Sequence, residues 1–205
     1  MAPVNTNAWN RLRYTIYAPF YDRIARFSRQ RRRSIELLRL RPGERVLIMG
    51  AGPGADLAFL PEYVDVTATD LTPAMVERIR RRAGRLGRAV DACVMDAQAL
   101  DFPDESFDAV ILHLIVAVVP DPRAVLREAA RVLVPGGRAT VFDKFAPEDR
   151  APSPLRRLLN VPANFLFTDI TRKLEPLLQG TRLRVVRREQ AMLGRAFEIA
   201  LLEKV

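Results

Sequence analysis

Cysteine, histidine and tryptophan each occur once in the 205 residues, and no apolar run reaches the roughly 20 residues a membrane-spanning helix requires. A lone cysteine, Cys93, excludes an internal disulfide and a thiolate metal site, and suits a reducing cytosol. A lone histidine, His113, excludes a histidine-cluster metal site and argues against a Ser-His-Asp nucleophile. The first residues lack a basic stretch followed by an apolar one, so no secretory signal is expected. Lysine is also scarce, at 144, 173 and 204 only, yet the net charge is +9, from 33 basic and 24 acidic residues. The rest is ordinary for one soluble domain: 49% hydrophobic and 28% charged residues.

The charge is unevenly placed. Residues 1–45 hold eleven arginines against Asp22, Glu36 and Glu44, a net of +8, while the remainder holds 22 basic and 21 acidic groups. Arginine favours bidentate phosphate contact, although a GC-rich genome produces the same bias without selection for binding. Trp9, Leu12, Ile16 and Phe20 recur at helical spacing, and Pro19 breaks or restarts that helix. From Phe20 to about Leu40, Ile24, Phe27, Ile35 and Leu38 share one face. Arg23, Arg26, Arg29 and Arg33 fall largely on the others, which predicts a basic amphipathic helix ended by Arg41-Pro42-Gly43.

After Arg45, short apolar runs alternate with helical stretches, the pattern of βαβ units around a parallel sheet. Strands are expected at 45–49, 64–69, 90–94, 108–113 and 138–143, and helices at about 54–60, 73–86 and 122–133. Thr72-Pro73 and Asp121-Pro122 each place a capping side chain before a proline at the first helical position. The proline-rich stretch after Ala146 reads as a lid at about 144–168. A helix at 169–178 and two runs at 182–189 and 196–203, close enough to pair antiparallel, complete the chain. The expected fold is α/β: a Rossmann-like, doubly wound, seven-stranded sheet, mostly parallel with an antiparallel C-terminal hairpin. Residues 1–44 would form basic N-terminal helices and 45–205 the main domain.

The chemistry concentrates where Val46-Leu47-Ile48-Met49 runs into Gly50-Ala51-Gly52-Pro53-Gly54-Ala55. Glycine lets the backbone turn sharply and approach a ligand, and the following helix start offers free N–H groups. The spacing satisfies both a dinucleotide fingerprint and a methyltransferase one. Asp70, 20 positions on at the end of the next strand, is placed to bind ribose hydroxyls in either. Asp96-Ala97 after the third strand, Phe102-Pro103-Asp104-Glu105-Ser106-Phe107-Asp108 before the fourth, Val119-Pro120-Asp121-Pro122, and Arg131-Val132-Leu133-Val134-Pro135-Gly136-Gly137 before the fifth follow in order. In these ordered motifs the chain resembles class I S-adenosylmethionine-dependent methyltransferases, in the group that includes ubiquinone and menaquinone biosynthesis enzymes. The resemblance runs from about Tyr14 to Phe142.

The resemblance implies S-adenosylmethionine as cofactor. Gly50, Gly52 and Gly54 would approach its methionine part, Asp70 its ribose, Leu71 and Met75 the faces of adenine, and Asp96 and Ala97 the adenine edge. His113 would sit beside the cofactor or substrate channel, or serve only as a polar strand end; Asp108 reads as a fold residue. Two departures stand out. Ile48 occupies a position where the family usually has an acidic residue, with Asp56 compensating in charge but not in place. Ala117-Val118 replaces a His pair found in many relatives.

The catalytic candidates are Tyr17, Tyr21 and His113, and Tyr14, Tyr17, Tyr21 and Asp22 resemble the family's substrate-cap segment. With one imidazole, an acceptor needing little base help, such as a neutral amine, fits best. The chain is similar to bacterial phosphatidylethanolamine N-methyltransferases, with Phe142-Asp143-Lys144-Phe145 and Thr168-Asp169-Ile170 echoing their pattern. The expected acceptor is therefore small or lipid-like. Phospholipid amine is first and a quinone precursor second, with the enzyme cytoplasmic and peripheral on an anionic inner membrane face. An RNA methyltransferase is disfavoured because no RNA-binding module or Asn/Asp-Pro-Pro-aromatic signature is present. A catalytically weak cofactor-binding protein and, last, an NAD-dependent dehydrogenase are the other readings.

Overall fold

Alternate residues of the central strands point to opposite faces of one sheet, and each face is buried by its own set of helices. The structure, a computed structural model, describes residues 6–17, 27–146, 169, 171–192 and 197–205, with the backbone alone for 13–17. The elements are α1 (Asn7–Tyr17), α2 (Ser28–Leu38), β1 (Arg45–Met49), a 3-10 turn (Ala55–Phe59), β2 (Asp65–Asp70), α3 (Pro73–Arg85), β3 (Asp91–Val94), β4 (Phe107–His113), α4 (Pro122–Val132), β5 (Leu133–Lys144), α5 (Leu174–Leu178), β6 (Leu183–Gln190) and β7 (Phe197–Lys204). The sheet order is β3-β2-β1-β4-β5-β7-β6. Strands β1 to β5 pair in parallel, and β7 lies antiparallel between β5 and β6. The seven-stranded, mostly parallel sheet with an antiparallel end is the architecture the sequence pattern predicts.

Val46, Ile48, Ala109 and Ile111 face Ile35 and Leu38 of α2 and Val76 and Ile79 of α3. Leu47, Met49, Val110 and Leu112 face Val125, Leu126 and Ala129 of α4 and Leu174 and Leu178 of α5. Helix α2 thus closes half of the core. Its Leu37 also packs with Phe142 of β5 and Ile199 of β7.

Thr72 and Asp121 cap α3 and α4, accepting from the backbone N–H of Met75 (3.3 Å) and Ala124 (3.0 Å), with proline following each cap. Other boundaries moved. The expected helix at 54–60 is a five-residue 3-10 turn, entered through Gly54 at φ +76°. The basic helix is described from Ser28 and stops at Leu38, where Arg39 takes a left-handed conformation (φ 47°). Strand β5 begins at Leu133, because Leu133 pairs with Phe107 before an irregularity that puts Arg138 opposite Ala109. Near the end of the chain, helix is confined to Leu174–Leu178, with Asp169 instead accepting from Thr171 N–H (2.8 Å). The expected lid at 144–168 lies almost wholly outside the described residues, as do Ile24, Arg23, Arg26, Tyr21 and Asp22.

Candidate active site

A cleft opens at the carboxyl ends of β1, β2, β3 and β4, where an open α/β sheet places its ligands. It encloses about 650 Å3 including its mouth, and its lining includes Gly50, Gly52, Asp70, Leu71, Met75, Asp96 and Ala97. Seven of the nine expected cofactor contacts thus come together on one surface.

The glycine turn shapes the floor. Gly50 lies at φ +63°, a left-handed conformation that favours glycine, and a Cβ there would force the Ile115 side chain, 2.3 Å away at Cδ1, to shift. Gly52 donates its N–H to Asp70 Oδ2 (2.9 Å), while Asp70 Oδ1 accepts from Thr72 N–H (3.0 Å) and hydroxyl (3.1 Å). Burial pushes the Asp70 carboxyl above its ordinary value, against the lowering effect of these bonds. The Leu71 backbone N–H adds to these donors, so the carboxylate is held in one orientation at the edge of the cleft.

Asp96 is similarly poised. Its Oδ1 accepts from Gln98 N–H (2.9 Å) and Nε2 (3.0 Å), and its Oδ2 from Asn7 Nδ2 (2.6 Å) and Gln98 Nε2 (3.3 Å). Leu71, Met75, Ile115, Val118 and Val119 supply apolar walls for a planar base. Among the described lining residues the acidic side chains are two carboxyl groups and none is cationic, a set that suits a ligand with hydroxyl and amino groups and a sulfonium cation. These residues fit S-adenosylmethionine.

Gly54 and His113 do not line the cleft. Gly54 serves the turn, and a Cβ there would press on Leu57 Cδ1 at 3.2 Å. His113 lies below, 4% exposed, with Nδ1 on Asp56 Oδ1 (2.7 Å) and Nε2 on Ser34 Oγ (2.9 Å). Arg31 Nη1 holds Asp56 Oδ2 (2.7 Å), and Ser34 bonds Thr140. Burial would raise the Asp56 carboxyl, but the opposing effects of His113 and Arg31 win and hold it well below the usual carboxylate range. His113 thus links Asp56 to Ser34, and Ser34 to Thr140, in one buried chain of hydrogen bonds. The Ser-His-Asp order is therefore present in space, but Ser34 is sealed in the core and meets no substrate.

Ile48 belongs to the core as well. Its side chain is buried with Leu38, Leu57 and Ile79, and Asp56, bonded to Arg31 and His113 in the core, does not line the cleft in its place. Asp108 is a fold residue, as expected: it accepts from Arg45 N–H (2.8 Å) and Nε (3.2 Å). Arg131 holds the approach to β4 by donating to the Phe102 (2.7 Å) and Leu100 (3.0 Å) carbonyls.

The motifs did not reveal Asn7, Asn10, Ile115, Val118 or Val119, all in the cleft wall. The one available signal was the i, i+3 spacing of the two asparagines on a helix otherwise read by its apolar stripe. Past β4, Leu114 adopts φ +61°, unusual for a bulky residue, and donates to the Phe142 carbonyl (2.8 Å). Asp143 Oδ2 holds Ala117 N–H (2.9 Å), and Arg172 donates to the Val119 carbonyl (2.7 Å), so the wall is braced from β5 and from the segment before α5. The side chains of Tyr14 and Tyr17, and all of Tyr21, lie outside the described residues.

Residues 47–141 match the methyltransferase domain family. The chain is 36% identical over 142 residues to phosphatidylethanolamine N-methyltransferase of Cereibacter sphaeroides, covering 68% of each protein. It is 35% identical over 136 residues to demethylmenaquinone methyltransferase of Thermus thermophilus, covering 62% of this chain and 61% of that enzyme. Among solved structures, geranyl diphosphate methyltransferase in complex with S-adenosylmethionine superposes with a TM-score of 0.73 at 18% identity, covering 87% of this chain and 85% of that one.

Proposed function

Because the chain belongs to the class I S-adenosylmethionine-dependent methyltransferases, we propose that it methylates the amine of a phospholipid of the phosphatidylethanolamine type at an anionic membrane surface. The cofactor supplies a sulfonium-bound methyl group. Gly50, Gly52, Asp70, Leu71, Met75, Asp96 and Ala97 orient that cofactor, and positioning of the acceptor in line with it provides much of the acceleration.

The observation that carries the amine reading is the seclusion of His113. The sole imidazole of the chain is bonded at both ring nitrogens and lies outside the cleft. The headgroup ammonium gives its proton to solvent before the neutral amine attacks the methyl group, a loss that needs no imidazole in the site, whereas a carbon or phenol acceptor calls for a base there. The identity shared with the Cereibacter enzyme supports the same acceptor. A quinone precursor is the second reading, favoured by the similarity to the menaquinone enzyme.

Charge supports the membrane part. Part of the N-terminal excess is consumed by folding, since Arg31 is buried on Asp56 and Arg33 pairs with Glu189. The near-neutral total of the rest conceals a second basic stretch, six arginines against Glu77 over residues 77–88. Helices α2 and α3 pack on the same face of the sheet, and Arg29, Arg32, Arg80, Arg81 and Arg85 are exposed there. Such a face suits electrostatic attraction to anionic headgroups. No helix among the described residues is long and apolar enough to cross a membrane.

The test is transfer of labelled methyl from S-adenosylmethionine into lipid, quinone, RNA and protein fractions. Label is expected in monomethylated phosphatidylethanolamine; label confined to quinone or RNA would overturn the reading. Charge reversal at Arg81 and Arg85 is expected to reduce sedimentation with anionic vesicles without affecting transfer to a soluble amine acceptor.

A further inference from the structure

Helix α1 forms part of the cleft's lining through two side chains one turn apart, Asn7 and Asn10. Asn7 Nδ2 donates to Asp96 Oδ2 at 2.6 Å, and its Oδ1 accepts from Gln98 Nε2 at 3.0 Å. Gln98 is itself placed by α4, because its Oε1 accepts from the N–H of the helix cap Asp121 at 2.8 Å. At the next turn, Asn10 is buried and directs Nδ2 toward the Val118 carbonyl at 3.5 Å. The helix is thus tied to the carboxylate after β3 and to the loop after β4, on opposite sides of one pocket. These ties connect residues 89 and 108 positions apart.

We propose that Asn7 is a positioning residue for the adenine end of the cofactor, and that ordering of α1 is coupled to cofactor binding. The inference rests on the cofactor reading of the cleft. Asp96 must present a lone pair in the plane of the adenine amino group. A free aspartate would rotate about its side-chain bonds, and each lost rotamer costs affinity. The Asn7 amide and Gln98 hold the carboxylate from two sides, with Gln98 Nε2 reaching both oxygens (3.0 and 3.3 Å), and so fix its plane against the pocket. Because Asn7 belongs to α1, the same bond fixes the helix. By reciprocity, whatever factor the closed helix adds to cofactor affinity, the bound cofactor returns as stabilisation of the helix.

The contact lies at the adenine end, so its loss is expected to affect a ligand lacking the amino-acid part as well. The test measures binding of S-adenosylhomocysteine and of 5′-methylthioadenosine by calorimetry, with hydrogen exchange of residues 7–17 as a second readout. Asn7→Ala is expected to weaken both ligands by about tenfold, within the 5–150-fold span usual for coupled sites. Asn7→Asp, which sets two carboxylates against each other, is expected to weaken them further. S-adenosylhomocysteine is expected to slow exchange across 7–17 in the wild type and much less in either variant. Circular dichroism of the unliganded variants should match the wild type, since Asn7 is tied to the cleft and not to the core.

If the wild type binds both ligands while both variants bind them equally well, or exchange of 7–17 ignores ligand, the inference is overturned and the cofactor reading stands. Weakening of S-adenosylhomocysteine but not of methylthioadenosine would also overturn it, by placing the effect at the amino-acid end. A wild type that binds neither ligand would overturn the cofactor reading and this inference together.

Discussion

Two polar clusters flank the same glycine turn, and they differ in what they face. On the cleft side, Asp70 and Asp96 are each held by backbone and side-chain donors and border a pocket. On the core side, Arg31, Asp56, His113, Ser34 and Thr140 close on one another with almost no exposure. The first cluster presents its carboxylates to the pocket; the second spends its polar chemistry on joining α2, the 3-10 turn, β4 and β5. Residue type does not separate them, since aspartate is central to both. Surroundings do.

The strongest way to break this comparison is to remove Asp56. Asp56→Ala leaves the Arg31 guanidinium and the His113 ring buried without their partner, and is expected to cost about 3–5 kcal/mol in urea unfolding. Asp96→Ala, on the cleft side, is expected to leave stability within about 1 kcal/mol while strongly reducing S-adenosylhomocysteine binding. Equal stability losses in the two variants would erase the distinction.

Gly50→Ala comes next. The added Cβ meets Ile115 at 2.3 Å in a left-handed conformation, with an expected cost of about 1–3 kcal/mol and loss of cofactor binding. Calorimetry and thermal unfolding check both. His113→Gln keeps polar atoms near Ser34 and Asp56, and is expected to cost about 1–3 kcal/mol while leaving kcat within a few-fold wherever the protein remains folded. A collapse of kcat with an intact fold would return His113 to the site.

The pH dependence separates the clusters by sign. The folded Asp56 carboxyl lies below its unfolded value of about 3.9, so its contribution is full above that pH and is lost as pH falls through the depressed folded value. The Asp70 carboxyl is raised by burial, so its charge costs stability at neutral pH, and the cost is relieved as pH falls through the raised folded value. Urea midpoints between pH 3 and 7 are expected to show the advantage of the wild type over Asp56→Asn shrinking at the acid end. For Asp70→Asn, the cost of the native carboxylate is expected to fade over the same direction of change. The smallest effect belongs to neither cluster: Arg81→Ala removes an exposed pair with Glu77 (2.9 Å) and should shift stability by about 0.5 kcal/mol or less.

Much of this molecule was legible in the chain. Thr72-Pro73 and Asp121-Pro122 mark helix starts because capping is a local interaction. The consecutive buried runs of β1 and β4 announce a parallel sheet covered on both faces. Gly50, Gly52, Asp70 and Asp96 were readable because each sits at the end of a strand or in the turn after one, where short-range spacing translates directly into position. The limits of β5 were less so, since its first residue is assigned by pairing with Phe107, 26 positions earlier. Arg31 could not be told from its exposed neighbours Arg29 and Arg32, because helical phase alone does not reveal an acid waiting inside.

The sequence by itself determined the fold class, the place of the cleft and the two carboxylates beside it, all of which follow from periodicity and local spacing. Only the tertiary structure decided that His113 and Asp56 belong to the interior, that α2 completes the core, and that Asn7 meets Asp96. Those roles depend on which lone pairs and donors are already occupied, and the occupants come from residues 25 to 89 positions away.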